Sequence, residues 1–332
     1  MSDATLMKSL KKYERPHRGK ALWQLANTLI PYALLLYLMI YTVHQGYSYW
    51  LTLALAVVAG LFLVRAFIIF HDCTHGSFFA SRLANTITGY VTGILAFTPF
   101  DEWRHSHGIH HATAGDLDRR GVGDVWTMTV AEYRAAPRRQ QIAYRFIRHP
   151  LVTFGLGPAW MFLVMARFPA SKIANARDRR SVYITDLAIL AIIVIASLTI
   201  GFRTYVLVQL PVILIAGAVG IWLFYVQHQF ESVYWARHEA LDRERAALEG
   251  SSYYKLPPVL QWFSGNIGFH HIHHLRARIP NYNLQQCYEE IPALQEVPPL
   301  TIRESLRCAW LDLYDEQQHK LIRFRDLRTL PA

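Results

Sequence analysis

The chain has few charged residues and few cysteines. Only 17% of its 332 residues are charged, whereas 52% are hydrophobic, and a soluble domain usually carries about a quarter of charged residues. The shortage of charge therefore favours an integral membrane protein with a substantial soluble part. The three cysteines, Cys73, Cys287 and Cys308, form no CxxC pair, which argues against a disulfide framework and fits a reducing cytosolic face.

Several familiar sequence patterns are missing. No repeat of 20–50 residues, low-complexity tract, Walker A motif or CxxCH motif occurs, which excludes solenoids, P-loop nucleotide binding and c-type haem attachment. Residues 1–20 form a long polar, basic lead, which is not the pattern of a cleaved signal peptide. The net charge is +10, and the basic residues flank apolar segments. Lipid headgroups or an acidic protein are therefore the expected partners, and nucleic acid is not.

Four long apolar runs are present, at residues 21–42, 50–70, 183–200 and 204–227. Each is close to the length of about 20 residues that a helix needs to span a bilayer. Two weaker runs, at residues 86–100 and 151–168, contain glycine and proline. If the first weak run crossed alone, the histidine clusters on either side of it would be separated by the membrane. If the second crossed alone, Lys172, Arg177, Arg179 and Arg180 would be external, against the positive-inside rule.

We therefore expect both weak runs to be re-entrant or interfacial helices. The predicted fold is an all-α integral membrane protein with four transmembrane helices, organised as a single domain over residues 1–332. It comprises a basic cytosolic N-terminus at 1–20, a transmembrane region at 21–228 and a cytosolic helical cap at 229–332. Both termini and all histidine clusters are predicted to be cytoplasmic.

Three clusters of histidine stand out. The first contains His71 and His75 as HxxxH. The second and third both read HxxHH, with ligands at His107, His110, His111, His270, His273 and His274. Residues four apart share one face of a helix, and neighbours diverge by about 100°. Each HxxHH cluster can therefore face two metals.

A ninth candidate, His228, ends the fourth apolar run at the predicted depth of His71. Imidazole ligands suit iron, zinc and copper, and redox work with dioxygen is the expected use of such a site. His105 and His271 lie inside clusters but off the pattern, which makes them candidates for orienting the ligands rather than for binding metal, with ordinary interfacial polarity as the alternative. The isolated histidines are interpreted as ordinary interfacial residues: His17, His44, His149, His238 and His319.

Three alternatives fit the residues less well. HDCTH at 71–75 is similar to the HExxH motif of zinc proteases, but aspartate is shorter than the catalytic glutamate and the other clusters would have no use. A ferritin-like di-iron site needs ExxH twice, and Pro16 interrupts one of the two candidates, Glu14–His17, while the other is Glu102–His105. A non-catalytic membrane metal-binding or transport protein would place its ligands midway along its helices rather than at their ends.

Four motifs together carry a family resemblance: HDCTHGS at 71–77, WRHSHGIHHATAGDLDRRGVGDVWTMT at 103–129, FYVQHQFE at 224–231 and GNIGFHHIHHLRARIPNYNLQQCY at 265–288. From about residue 65 to 300 the chain resembles the membrane fatty acid desaturases, and among them the acyl-lipid group that acts at Δ12 or ω3 positions. The resemblance implies a non-haem di-iron centre held by the nine histidines, with O2 as co-substrate and an acyl-lipid or acyl-thioester as substrate. A related hydroxylase or acetylenase stays open, as do the double-bond position and the acyl carrier.

The resemblance also implies an external electron donor of ferredoxin or cytochrome b5 type. Its expected docking surface is arginine-rich and shared with lipid phosphates: Arg119, Arg120, Arg138, Arg139, Arg177, Arg179 and Arg180. One position departs from the acyl-CoA members, where an asparagine four residues before the fourth-helix histidine holds a metal-bound water. Phe224 stands there, and Asn266, one turn before His270, is predicted to take over. The 123–129 segment is a candidate lining of the acyl tunnel, although Trp126 and Thr127 could equally be packing residues.

Overall fold

The computed structural model describes residues 3–170 and 173–329. Its α-helices in chain order are α1 Asp3–Leu10, α2 Arg18–His44, α3 Tyr49–His75, α4 Arg82–Leu95, α5 Phe100–Thr113, α6 Val130–Ala135, α7 Arg138–Arg148, α8 Gly157–Leu163, α9 Ala176–Thr199, α10 Phe202–His228, α11 Arg243–Glu249, α12 Pro258–Phe263, α13 His270–Leu275, α14 Asn281–Glu290 and α15 Ile302–Cys308. The short strands are β1 Met128–Thr129, β2 Tyr253–Lys255, β3 Pro299–Thr301, β4 Leu313–Asp315 and β5 Lys320–Ile322.

Helices α2, α3, α9 and α10 are each long and apolar enough to cross a membrane, and they contain the four predicted runs. The predicted fold class, an all-α membrane protein with four spans, is confirmed. Helix α3 is the central one, because 61% of its 18-residue apolar stretch is buried, against 22–28% of the corresponding stretch in the other three helices. It packs against α2, α4 and α10, whereas the other spans turn apolar side chains outward, as helices that face lipid do.

Two of these helices extend beyond their apolar runs. The second run ends at Phe70, but α3 continues without a break to His75. Helix α10 likewise ends at His228. The first cluster and His228 are therefore held on the last turns of rigid membrane helices, at the same end of the bundle.

Neither weak apolar run forms a straight span. Helix α4 has 14 residues, about 21 Å at 1.5 Å per residue, which is short of the hydrocarbon thickness. Its exposed residues Leu83, Ile87 and Val91 lie on one face. The second run is broken into a π-helical turn at Val152–Leu156, α8 and a 3-10 turn at Met165–Arg167. It bends by 64° from α7, as in a broken span or a re-entrant loop.

The chain after α10, residues 229–329, forms a cap over that end of the bundle. The sequence predicts a helical cap, and the structure adds two small sheets. Strands β1, β4 and β5 form one sheet, with β1 and β4 parallel and β4 and β5 antiparallel. Strands β2 and β3 pair in parallel to form the other.

The N-terminal segment belongs to the cap. Leu6, Leu10 and Tyr13 are buried in one apolar cluster with Ile272 and Leu284. The Tyr13 hydroxyl and the Lys12 ammonium both donate to Glu290 at the end of α14. The N-terminal residues therefore lie at the same end of the bundle as the third histidine cluster.

Candidate metal centre

The nine histidines singled out by spacing converge at one place. They come from four elements: the last turns of α3 and α10, the C-terminal half of α5, and α13. The structure separates them into two adjacent groups of imidazoles. Their rings touch across the boundary, with the His111 and His274 centroids 4.2 Å apart.

Group A contains His71, His75, His107, His111 and His273, whose ligand nitrogens all lie within 4.8 Å of one another. The Nε2 atom of His111 is 3.1 Å from that of His107 and 3.0 Å from that of His273. Two nitrogens each about 2.1 Å from one metal, at right angles, lie about 3.0 Å apart. The spacing within group A is therefore that of ligands around a single ion.

Group B contains His110, His228 and His274, whose ligand nitrogens also lie within 4.8 Å of one another, together with His270. The Nε2 atom of His228 is 3.1 Å from that of His110 and 2.9 Å from that of His270. The rings of His270 and His274 have centroids 4.6 Å apart. Group B could therefore hold a second ion with four imidazoles.

Helical spacing explains this division. The i,i+4 pair His107 and His111 lies in group A, whereas His110, three residues after the first, lies in group B. In α13 the assignment is reversed, because His273 lies in group A and its neighbour His274 in group B. The prediction that adjacent histidines of each HxxHH cluster diverge toward different sites agrees with this geometry.

The buried ring nitrogens fit a metal better than they fit one another. The Nε2 atoms of His71, His75 and His274 are buried and have no hydrogen-bond partner among the described residues. An unpaired buried polar atom costs about 1–3 kcal/mol. A metal ion accepts the lone pairs of such nitrogens and removes that cost, and nitrogen-only donor sets suit iron, zinc and copper.

Burial also keeps five of these imidazoles neutral. Desolvation lowers the pKa of His107, His111, His270, His273 and His274 well below the ordinary value, and the neighbouring imidazoles lower it further. A neutral imidazole offers the lone pair that a metal needs. At pH 7 these side chains are therefore ready to bind.

A carboxylate orients one ligand of group A. The Oδ1 atom of Asp72 lies 3.1 Å from Nδ1 of His71, so its Nε2 atom points into the group. The other oxygen of Asp72 accepts two hydrogen bonds from Asn281, from the backbone N–H at 2.6 Å and the side-chain amide at 2.8 Å. Gln24 of α2 in turn donates to Oδ1 of Asn281 at 2.9 Å. Helices α2, α3 and α14 thus fix the ring of His71 together.

A second carboxylate orients one ligand of group B. The Oδ1 atom of Asp124 lies 2.5 Å from Nδ1 of His110. The loop approaches α5 closely here: Gly123 has φ of +69°, and a Cβ atom at that position would lie 3.2 Å from Cβ of His110. Only glycine adopts this conformation and this approach at little cost.

Three residues are predicted from sequence to support the ligands: His105, His271 and Asn266. None of them belongs to group A or group B. His105 pairs with Asp178 of α9 at 2.7 Å. His271 is fully buried against Tyr253, and its Nε2 atom contacts the carbonyl oxygen of Leu294 at 3.3 Å. Burial lowers the pKa of His271 to about 4. Both histidines therefore hold helices in place, and any effect on the ligands stays a prediction.

The role predicted for Asn266 stays a prediction, and the structure places this residue outside α13 and outside both groups. Helix α13 begins at His270, and Asn266 lies before it in a turn with φ of +59°. Its amide donates to the carbonyl of Asn281 at 3.2 Å and its Oδ1 atom accepts from Gln261 at 3.1 Å. The ring of Phe224 instead contacts group B, with its centroid 5.2 Å from those of His110 and His228.

Two cavities lie against the loop that follows α5. The smaller, about 30 Å³, reaches His110, Phe224 and His228. The larger, about 720 Å³, opens to the surface and is lined in part by Trp126 and Thr127. Both are lined by the same three residues of the loop after α5: Leu117, Arg120 and Val125. Thr127 is also buried and bonds to Gln229 at 3.2 Å, so it serves packing as well.

Sequence reasoning assigned no role to Asp72, Asp124 or Asn281. Asp72 lies inside the first cluster, and a carboxylate beside a ligand histidine is a common orienting partner, so this one could have been found. Asp124 is 14 residues from His110 and Asn281 is 209 residues from Asp72. No local spacing connects those pairs.

Comparison with known proteins agrees with the geometry. The model of the fatty acid desaturase family matches residues 48–304. The chain is 45% identical over 327 residues to a fatty acid desaturase of Bacillus subtilis (strain 168), covering 98% of this chain and 92% of that protein. It is 27% identical to an sn-1 oleoyl-lipid 12-desaturase of Synechocystis, covering 69% and 65%, and 26% identical to an sn-1 oleoyl-lipid 12-desaturase of Anabaena variabilis, covering 79% and 74%. The chain therefore belongs to the fatty acid desaturase family, whose members are oxidoreductases.

Proposed function

We propose that groups A and B each hold one iron ion and that the protein uses O2 to insert a cis double bond into an acyl chain, at a Δ12-type position. The observation that carries this proposal is the convergence of nine imidazoles into two adjacent groups at one end of the membrane helices. Iron in such a site supplies the dioxygen and one-electron chemistry that oxidation of an unactivated methylene requires.

The overall reaction sets what the protein must provide. One acyl –CH2–CH2– unit, one O2, two electrons and two protons give –CH=CH– and two waters. The chain's own residues position the ligands: Asp72 and Asp124 hold His71 and His110 through their Nδ1 atoms. The ring of Phe224 packs beside the imidazoles of group B. No described side chain has to act as a general base, since the hydrogens leave by oxidation.

The acyl substrate is supported by the cavities and by the relatives. Leu117 and Val125 line both cavities, on the way from the surface to Phe224 and group B. We propose that the acyl chain passes between them, as an acyl-lipid or acyl-thioester. The Δ12 position rests on the relatives from Synechocystis and Anabaena, which are named oleoyl-lipid 12-desaturases.

The electron donor is proposed to be an external protein of ferredoxin or cytochrome b5 type. Three of the predicted arginines are paired within the chain: Arg119 with Asp116, Arg120 with Glu132 and Arg177 with Asp101. The donor surface proposed here comprises four exposed arginines: Arg138, Arg139, Arg179 and Arg180. This basic surface also supports a cytoplasmic position for the clusters and the termini, by the positive-inside rule.

The experiment is a fatty-acid methyl ester profile. The chain is expressed in a host that makes monoenes but no polyunsaturated lipids, and the profile is compared with that of the empty host. We expect a new diene formed from a monoene. The variant His107→Ala, which removes a ligand from group A, should abolish the diene.

His105→Ala is the matched control, because His105 lies on the same helix but outside both groups. It should retain most of the product. A hydroxylated fatty acid in place of the diene would assign the chain to the related hydroxylases. An unchanged profile from folded, iron-loaded protein with a working donor would refute the proposed reaction.

A further inference from the structure

Helix α12 of the cap presents an apolar surface to its surroundings. Val259, Leu260 and Trp262 are 66%, 38% and 38% exposed. A soluble cap would bury such residues or surround them with charge. The 20 residues from 256 to 275, which include α12, contain no Asp, Glu, Lys or Arg.

Contacts with α3 place α12 along the membrane span. The ring of Phe62 packs edge-on against the rings of Trp262 and Phe263, at 5.8 Å and 5.1 Å between centroids. Three residues after Trp262, Gly265 lies against Ile68, where a Cβ atom would be only 2.8 Å from the Ile68 Cγ2 atom. The chain therefore runs alongside α3 as it leaves α12.

These contacts also give the depth of α12. Phe62 precedes His71 by nine residues, or about 14 Å along the helix axis, and Ile68 precedes it by three, or about 5 Å. The apolar run of α3 ends at Phe70. Helix α12 thus lies beside the apolar run of α3, well short of the histidine groups along the axis of that helix.

A buried cation holds α12 at that depth. Arg65 of α3 is 6% exposed, and its guanidinium carbon lies 3.9 Å from the centre of the Trp262 ring. It also donates a hydrogen bond to the Trp262 carbonyl oxygen. A charged residue inside a membrane span needs such a partner, and α12 provides it.

Helix α15 and the turn after it carry a second exposed apolar surface. Helix α15 follows β3 as α12 follows β2, and these two strands are paired in parallel. Ile302, Leu306 and Trp310 are exposed at 37%, 60% and 53%, at a spacing of four residues. Exposed arginines at 303 and 307 lie among them, which is the composition of a helix that lies in the membrane interface.

We propose that α12 is a re-entrant helix embedded in the lipid leaflet next to the histidine groups, and that α15 lies at the headgroup level of the same leaflet. The occupant of this surface is lipid: acyl chains against Val259 and Leu260, and phosphates near the arginines of α15. Part of the cap is therefore a membrane-bound element rather than a soluble lid. This inference does not depend on which reaction the metal centre performs.

Site-directed spin labelling tests this placement. The full chain carrying Val259→Cys is labelled with a nitroxide and reconstituted into vesicles of phosphatidylcholine and phosphatidylglycerol. Collisions with O2, which concentrates in hydrocarbon, are compared with collisions with a water-soluble nickel chelate. The three native cysteines are buried, and labelling of the unmodified chain measures their background.

Two further cysteine variants provide the reference signals for lipid and for water. Leu187→Cys, 65% exposed in the middle of α9, reports the lipid value, and Gln318→Cys, in the exposed loop between β4 and β5, reports the water value. We expect Val259→Cys to give the O2-rich signal of Leu187→Cys, and Leu306→Cys an intermediate one. A nickel-rich signal at Val259, like that of Gln318, would overturn the proposal. Low accessibility to both reagents would overturn it too, because a second protein copy would then cover the surface.

Discussion

Asp124 is the residue whose removal tests the orientation of group B most directly. Its Oδ1 atom lies 2.5 Å from Nδ1 of His110, and His110 itself is almost completely buried, at 1% exposure. Loss of a carboxylate that orients a ligand histidine typically weakens metal binding by about 10–100-fold. In free energy that range is about 1.4–2.7 kcal/mol. We expect Asp124→Ala to lie in the upper half of it, since little water reaches the ring to replace the carboxylate.

The assay is competitive removal of the two proposed iron ions by a chelator from the purified, detergent-solubilised protein. Group A keeps its own carboxylate, Asp72, so its iron should leave at the unmodified concentration of chelator. The iron of group B should leave at a concentration lower by about 10–100-fold. Asp124→Asn keeps an acceptor but not the charge, and a charge-assisted hydrogen bond is about twice as strong as a neutral one. Its effect should therefore fall between those of Asp124 and Asp124→Ala.

Asp118→Ala is the control in the same loop. Asp118 pairs with Arg237 at the surface, at 2.7 Å, and its replacement should leave iron release unchanged. If Asp124→Ala releases both irons together, or neither earlier than the unmodified protein, then the assignment of Asp124 to one site is refuted.

Three further predictions concern stability and access to the site. Gly265→Ala places a Cβ atom 2.8 Å from Ile68 at a φ of +54°, and it should destabilise the fold by about 1–3 kcal/mol. Gly108 lies in a helix, and a Cβ atom there would have no neighbour within 4 Å. Gly108→Ala should therefore stabilise the fold by about 0.5–1 kcal/mol. Thermal unfolding in detergent distinguishes the two, and equal shifts would contradict the packing argument. Burial raises the pKa of Asp312 to about 6, whereas the same carboxyl in the unfolded chain has a pKa of about 3.9. Because the folded state then holds the proton more tightly, the free energy of unfolding falls by on the order of 2–3 kcal/mol as the pH rises from about 4 to 6. Asp312→Asn should therefore raise the melting temperature at pH 7 but not at pH 4, and a gain of the same size at both values would show that the carboxyl is not desolvated. Val125→Trp fills the passage between the two cavities and should lower turnover by about 10–100-fold with iron content unchanged, as measured by product formation and metal analysis; unaltered turnover would exclude this route for the acyl chain.

Local sequence determined the spans and the ligand candidates. Apolar runs of about 20 residues can be recognised without a structure, because the thickness of the bilayer sets their length. Histidines at i, i+3 and i+4 can be recognised in the same way, since the pitch of a helix alone decides which of them share a face. His228 could be added because its depth follows from the length of α10.

Only the tertiary structure decided how those ligands are shared between two sites. His273 joins group A and His270 lies beside His228 in group B, and both assignments depend on how α13 is seated against α3, α5 and α10. The contacts between the carboxylates and the histidine rings also depend on tertiary packing. Asn281 meets Asp72 across 209 residues of sequence, and no periodicity records that distance.

The position of helix α12 in the cap is also a feature that the sequence did not predict. From its mixed composition the tail after α10 is predicted to be cytosolic, yet α12 packs against Phe62 and Arg65, deep along a membrane span. A helix of six residues is too short for its own hydropathy to indicate whether it contacts lipid. Its position is set by long-range packing and by one buried cation, which become visible only once the chain has folded.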